Sequence, residues 1–170
     1  GVKIYGVEPK GAASMHAAFE EGEIVSLPKV DPFVDGTAVG RAGDLPYSVV
    51  RELVDDILVV PEGAVCTEML DLYHSDGVIA EPAGALASAA ARMYFADPEQ
   101  RTQLLGDTSG ALVAVVSGGN NDMTRYAEIM ERSLRHEGLR HYFLVTFPQQ
   151  PGALRSFLED VLGPGDDIVH

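Results

Sequence analysis

Two unbroken aliphatic runs constrain the fold more than any other feature. Ile57-Leu58-Val59-Val60 and Ala111-Leu112-Val113-Ala114-Val115-Val116 contain no polar side chain, so neither has a face to offer water. Runs of this kind are strands covered on both sides, which implies a mostly parallel sheet with helices on its faces. The intervening segments have helical character. Residues 12–19 are alanine-rich, 46–53 follow Pro46, and Pro61 in a first helical position opens a helix with Val65, Met69 and Leu72 at helical spacing. That helix stops at Ser75-Asp76-Gly77, and residues 83–95, dense in alanine, form the clearest helix of all. Asp97-Pro98-Glu99-Gln100 supplies an N-cap, a first-position proline and a capping partner, and residues 123–136 predict another helix. Short strands are expected at 2–7 and 25–28, with a Gly- and Pro-rich loop over 31–43. Strand and helix alternate, so the fold class is α/β.

The character changes near residue 139. Residues 141–147 alternate like a strand, Pro151-Gly152 turns the chain, and 153–162 have the pattern of a helix. One strand and one helix bury too little to stand alone, so this segment is expected to be the first half of a small α+β module. The expected division is therefore 1–138 and 139–170.

Charge narrows the partners. Among 170 residues, 12 Lys+Arg face 26 Asp+Glu, a formal net charge of −14, which leaves little for a basic face toward nucleic acid or an anionic membrane. No apolar run reaches the roughly 20 residues of a membrane helix, and the start, Gly1-Val2-Lys3-Ile4-Tyr5, lacks the pattern of a signal peptide. Hydrophobic residues make up 46%, enough for a real core. The single cysteine, Cys66, excludes an intrachain disulfide and suits a reducing compartment. No two of the five histidines have the i, i+4 spacing of a helical metal pair, so no metal site is expected.

Several segments could carry chemistry, and each has a plain structural alternative. Ser117-Gly118-Gly119-Asn120 follows the stronger aliphatic run, where ligands of α/β sheets collect, and its glycines let backbone approach a ligand. It is equally a tight turn, with Asn120 or Asn121 starting the next helix. Glu81-Pro82-Ala83-Gly84-Ala85 places a carboxylate near a helix start, as a ligand contact or as a partner of the helix dipole. Asp35-Gly36 is a turn or a contact. Glu8, Glu20-Glu21 and Asp55-Asp56 are carboxylates open to acid–base work; the first pair suits a solvated helix end and the second a turn. Cys66 suits a small core residue.

Taken in order, Gly6-Val7-Glu8-Pro9, Val30-Asp31-Pro32-Phe33-Val34-Asp35-Gly36-Thr37-Ala38-Val39, Glu81-Pro82-Ala83-Gly84-Ala85 and Ser117-Gly118-Gly119-Asn120 resemble the threonine dehydratases (threonine ammonia-lyases). These are pyridoxal-phosphate enzymes of fold type II, the tryptophan-synthase-β-like fold. His141-Tyr142-Phe143-Leu144-Val145 and Phe147-Pro148-Gln149-Gln150-Pro151-Gly152-Ala153-Leu154 resemble the start of the ACT-like regulatory domain of the biosynthetic members.

The resemblance implies conversion of L-threonine to 2-oxobutanoate and ammonia on the way to isoleucine. It also implies a cytoplasmic homo-oligomer and isoleucine as an allosteric effector. It implies that Ser117 hydrogen-bonds the pyridine nitrogen of pyridoxal 5'-phosphate and that Gly36 and Glu81 lie near that cofactor. In related serine racemases a divalent cation binds at the segment matching Glu8 to Ser14; here a serine stands at the position of the acidic third ligand, so no metal is expected. None of Lys3, Lys10 and Lys29 has the context of the family's Schiff-base lysine, and no segment matches its glycine-rich phosphate loop. The expectation is an internal piece of a longer enzyme, inactive alone. The competing expectations are an amino-acid-binding regulatory or assembly piece, and a piece that self-associates through an exposed sheet edge.

Overall fold

The computed structural model describes residues 1–106 and 110–168. They fall into two compact units, Gly1–Arg140 and His141–His170. Among the described residues of the first unit, β1 (Tyr5–Pro9) and β2 (Asp56–Val60) pair in parallel, with Tyr5 opposite Asp56 and Pro9 opposite Val60. The link between them carries α1 (Ser14–Glu21) and α2 (Asp44–Leu53), as a parallel crossover requires. Asp55 sits at the bend before β2 and Asp56 in the strand itself; the Asp55 N–H donates to the Ile4 carbonyl at 2.8 Å, and its carboxylate accepts the Ile4 N–H at 2.7 Å.

Among the described residues, the unit continues with four further α-helices: α3 (Glu62–Asp76), α4 (Leu86–Phe95), α5 (Pro98–Leu105) and α6 (Tyr126–His136). Pro61 stands one residue earlier than its spacing suggests, as the N-cap of α3 in an extended conformation. Gly77 closes α3 with φ +67°, its N–H donating to the carbonyl of Tyr73, the left-handed stop that glycine adopts without steric cost. Asp97 caps α5 through the Gln100 N–H at 2.9 Å, with Pro98 in the first turn.

One core runs through Phe33, Val60, Val65, Met69, Leu86 and Ile129. Met69 and Ile129 are fully buried, and each contributes about 1.5–3 kcal/mol by leaving water. Helices α3 and α6 pack tightly at Gly63, where a Cβ would stand 2.5 Å from the Cβ of His136, and Thr67 and Ser133 join them by a 3.0 Å hydroxyl hydrogen bond. Cys66 lies wholly inside this core.

The second aliphatic run does not behave as its composition suggests. Residues 111–116 form no strand, and Val113 and Val115 are 82% and 67% exposed. An extended segment becomes a strand only by hydrogen bonding to a neighbour, and among the described residues no strand lies beside it. The same holds in the second unit. Residues 141–147 form no strand and Leu144 is fully exposed, whereas α7 (Ala153–Asp160) forms and Phe157 meets Phe147 edge to face at 5.4 Å. The short strand expected at 25–28 is a single antiparallel bridge from Ser26 to Arg41. Among the described residues no helix is long and apolar enough to cross a membrane.

Candidate functional site

Three loops from distant parts of the chain converge: residues 31–38, 79–85 and 117–121. Between the last two, the Ser117 N–H donates to the Gly84 carbonyl at 3.3 Å, and the Glu81 N–H donates to the Gly118 carbonyl at 3.2 Å. Side chains this close are impossible at the crossing. A Cβ on Gly84 would overlap the carbonyl oxygens of Ser117 and Gly118, and one on Gly119 would come within 2.9 Å of the Ile79 carbonyl. Gly118 has φ +91°, which glycine tolerates, and the space its missing Cβ leaves is filled by the Glu81 carboxylate.

The first loop joins them at Gly36. A Cβ there would stand 2.9 Å from the Ala83 Cβ and 4.0 Å from Glu81 Oε1. Gly36 sits in a single 3-10 turn, Asp35–Thr37, whose start is set by the Asp35 carboxylate accepting the Gly36 N–H at 2.9 Å. Of the residues singled out from sequence, Glu81 therefore packs against Gly118 in the turn that carries Ser117 and lies near Gly36. Ser117 itself is exposed, as is Gly36, while Glu81 is half-buried.

Glu81 does not cap α4. Helix α4 begins at Leu86, and Glu81 lies a turn earlier, its carbonyl accepting the Ala85 N–H. Nor do Asn120 and Asn121 start the helix after the glycines. Asp122 does so, accepting the Thr124 N–H at 2.9 Å, a bond that holds its carboxyl below the usual range. Asn121 acts elsewhere. Its Nδ2 donates to the Ala80 carbonyl at 3.1 Å, tying the loop of Glu81 to the turn of Ser117. Its Oδ1 is buried with no partner among the described residues. Arg125, eight residues after Ser117, reaches the first loop, where Nη2 donates to the Phe33 carbonyl at 2.6 Å. Neither Asn121 nor Arg125 carries a sequence signal for these contacts, because both join positions 41 or more residues apart.

The other carboxylates are structural. Glu8 accepts the N–H groups of Met15 and His16 at 3.1 and 2.7 Å and so caps α1 from a distance; burial raises its pKa against the pull of those two bonds. Glu20 and Glu21 lie at the end of α1, both exposed. Burial pushes the Cys66 thiol up to about 12, which removes it as a nucleophile at neutral pH. Among the described residues no three His, Cys, Asp or Glu side chains are grouped to hold a metal ion.

The chain matches the model of the family described as pyridoxal-phosphate dependent enzyme over residues 1–121, and that of the C-terminal regulatory domain of threonine dehydratase over residues 131–170. It is 56% identical over 169 residues to the biosynthetic L-threonine dehydratase of Corynebacterium glutamicum, covering 98% of this chain and 36% of that protein. Against the protein of the same name from Mycobacterium tuberculosis it is 57% identical over 168 residues, covering 98% and 37%. The chain thus spans little more than a third of the length of these relatives. Among solved structures it resembles the processed form of threonine deaminase isoform 2 from Solanum lycopersicum, with TM-score 0.66 and 32% identity over 78% of this chain and 36% of that one. It also resembles maize serine racemase, with TM-score 0.64 and 33% identity over 77% and 40%. With these matches over nearly its whole length, the chain belongs to the pyridoxal-phosphate dependent enzyme family, and residues 131–170 belong to the C-terminal regulatory domain of threonine dehydratase.

Proposed function

We propose that this chain is part of a pyridoxal-phosphate dependent threonine ammonia-lyase that converts L-threonine to 2-oxobutanoate and ammonia. The observation that carries the proposal is the convergence of Gly36, Glu81 and the Ser117 turn through contacts that only glycine permits at positions 84 and 118. That arrangement suits a flat heterocycle. It offers an exposed hydroxyl, a wall without side chains at Gly36, and a buried amide oxygen on Asn121 with no partner among the described residues. When bound, pyridoxal phosphate supplies the electron sink that lets the substrate lose its α-proton and then its β-hydroxyl.

The chain's own residues set how strong that sink is. The Ser117 hydroxyl would hold the ring nitrogen as a neutral hydrogen-bonding partner and, unlike an aspartate, could not keep a proton there as a counter-ion. With Ser117 as its neutral partner, the group would supply a moderate electron sink, suited to loss of the β-hydroxyl over transamination or racemisation. Glu81 and Gly36 shape the wall beside it. The division of labour we infer is a catalytic portion over residues 1–138 and a regulatory portion from 139, with isoleucine as effector, in a cytoplasmic homo-oligomer.

The test is made on the complete enzyme containing this chain, loaded with pyridoxal phosphate. It should release 2-oxobutanoate and ammonia in equal amounts from L-threonine, and calorimetric titration with isoleucine should show stoichiometric binding. Turnover of other amino acids but not L-threonine would overturn the assignment of substrate.

A further inference from the structure

Arg125 and Arg132 project from the region of α6 toward one aromatic ring. The Arg125 guanidinium lies 4.9 Å from the centroid of Phe33 and that of Arg132 lies 4.0 Å from it, and Phe33 is only 4% exposed. Arg125 also donates to the Phe33 carbonyl at 2.6 Å and sits 3.7 Å from Asp35 Oδ2, while Arg132 sits 3.7 Å from Asp31 Oδ2. The loop has few bonds of its own to fix Gly36: the Asp35 carboxylate to the Gly36 N–H and the Thr37 N–H to the Val34 carbonyl are local. From outside, Val34 is buried in the core, the Asp31 N–H donates to the Gly11 carbonyl at 2.8 Å, and Arg125 holds Phe33 and Asp35 on the side nearer Gly36.

We propose that Arg125 is a positioning residue that fixes Gly36 relative to Ser117. The inference rests on the reading of Gly36 and Ser117 as two sides of the cofactor site. The mechanical path is short. The turn carrying Ser117 is tied to Ala80 by Asn121, Asp122 caps the next turn at Thr124, and Arg125 follows directly with its grip on Phe33 and Asp35. The guanidinium suits this role because it makes three contacts at once. One nitrogen meets a carbonyl, another faces a carboxylate, and the cation lies over a ring. A lysine ammonium is a point charge that can satisfy one of these but not all.

The test uses the complete enzyme with Arg125→Met and Arg125→Lys substitutions. It reads hydrogen exchange across residues 31–38 and the affinity of the apoenzyme for pyridoxal phosphate by fluorescence titration. Arg125→Met should speed exchange in that loop, leave β2 and α6 protected, and weaken cofactor affinity by about tenfold or more, since small displacements of a binding wall are costly. Arg125→Lys should recover part of the affinity only. If Arg125→Met fails to fold, Phe33→Leu, which keeps the carbonyl and removes the ring, is judged by the same two readouts. Unchanged exchange, or faster exchange with unchanged cofactor affinity, overturns the inference and leaves the role of Ser117 standing. A Ser117→Ala enzyme with wild-type kinetics overturns that role whatever Arg125 does.

Discussion

Gly84 accepts the Ser117 N–H on its carbonyl, and its α-carbon lies so close to the serine backbone that even a methyl group would overlap the Ser117 carbonyl oxygen. The obstacle is backbone on both sides, so neither partner can swing away. Glycine at position 84 is thus the condition for the loop of Glu81 and the turn of Ser117 to cross.

Replacement of this glycine provides the first prediction. Gly84→Ala forces the two backbones apart and should cost about 1–3 kcal/mol of stability, the range of an overpacked core. Cofactor affinity should fall with it, measured by thermal unfolding with and without pyridoxal phosphate. A variant with wild-type stability and affinity would mean that the crossing is looser than these contacts require.

Glu8 yields a pH prediction. Burial raises its carboxyl above the ordinary glutamate range despite the two N–H groups it accepts. A folded pKa above the unfolded one favours the protonated form, so the contribution to stability is full below about pH 4 and is lost as pH rises through the raised folded value. Glu8→Gln carries no such dependence. The difference in melting temperature, wild type minus variant, should therefore fall as pH rises from about 4 toward about 7. A difference that grows over the same span would show that the hydrogen bonds outweigh burial.

Cys66 gives a chemical one. With the thiol fully buried and pushed up to about 12, almost none is thiolate at about pH 8. Iodoacetamide at that pH should leave the Cys66 peptide unmodified in the folded complete enzyme and modify it after denaturation, as read by peptide mass spectrometry. Native labelling at a rate near that of a free thiol would contradict its place in the core.

Asn121 links the two loops by a side chain. Asn121→Leu leaves the Ala80 carbonyl without its donor, at a cost of about 1–3 kcal/mol for a buried group. The loss should appear as reduced cofactor retention on gel filtration. Retention equal to wild type would show that backbone contacts alone hold Glu81 beside Gly118.

What could be seen in advance depended on the range of the cause. The Asp97 cap and the stop at Gly77 are local, set by residues within a turn of each other, and both stand where the sequence puts them. The Ile57–Val60 run is a strand because Tyr5–Pro9 lies beside it, whereas 111–116 has the same aliphatic character and no strand beside it among the described residues. Periodicity reports what a segment prefers to be buried against, and pairing decides whether it becomes a strand. That Gly36 lies near Glu81 followed from no spacing rule; the resemblance implied only that each lies near the cofactor. Arg125 was invisible on either route, since its contact with Phe33 spans 92 residues and depends on where α6 is laid down.

The central claim is that a neutral hydroxyl at position 117 governs the cofactor, and the kinetics of two substitutions in the complete enzyme test it most directly. Ser117→Ala should keep pyridoxal phosphate bound and lose turnover of L-threonine by about 10-fold to 100-fold, the worth of one hydrogen bond in the site. Ser117→Asp should bring racemisation or transamination up relative to deamination. If Ser117→Ala deaminates L-threonine at the wild-type rate and Ser117→Asp leaves the product ratio unchanged, the account is contradicted.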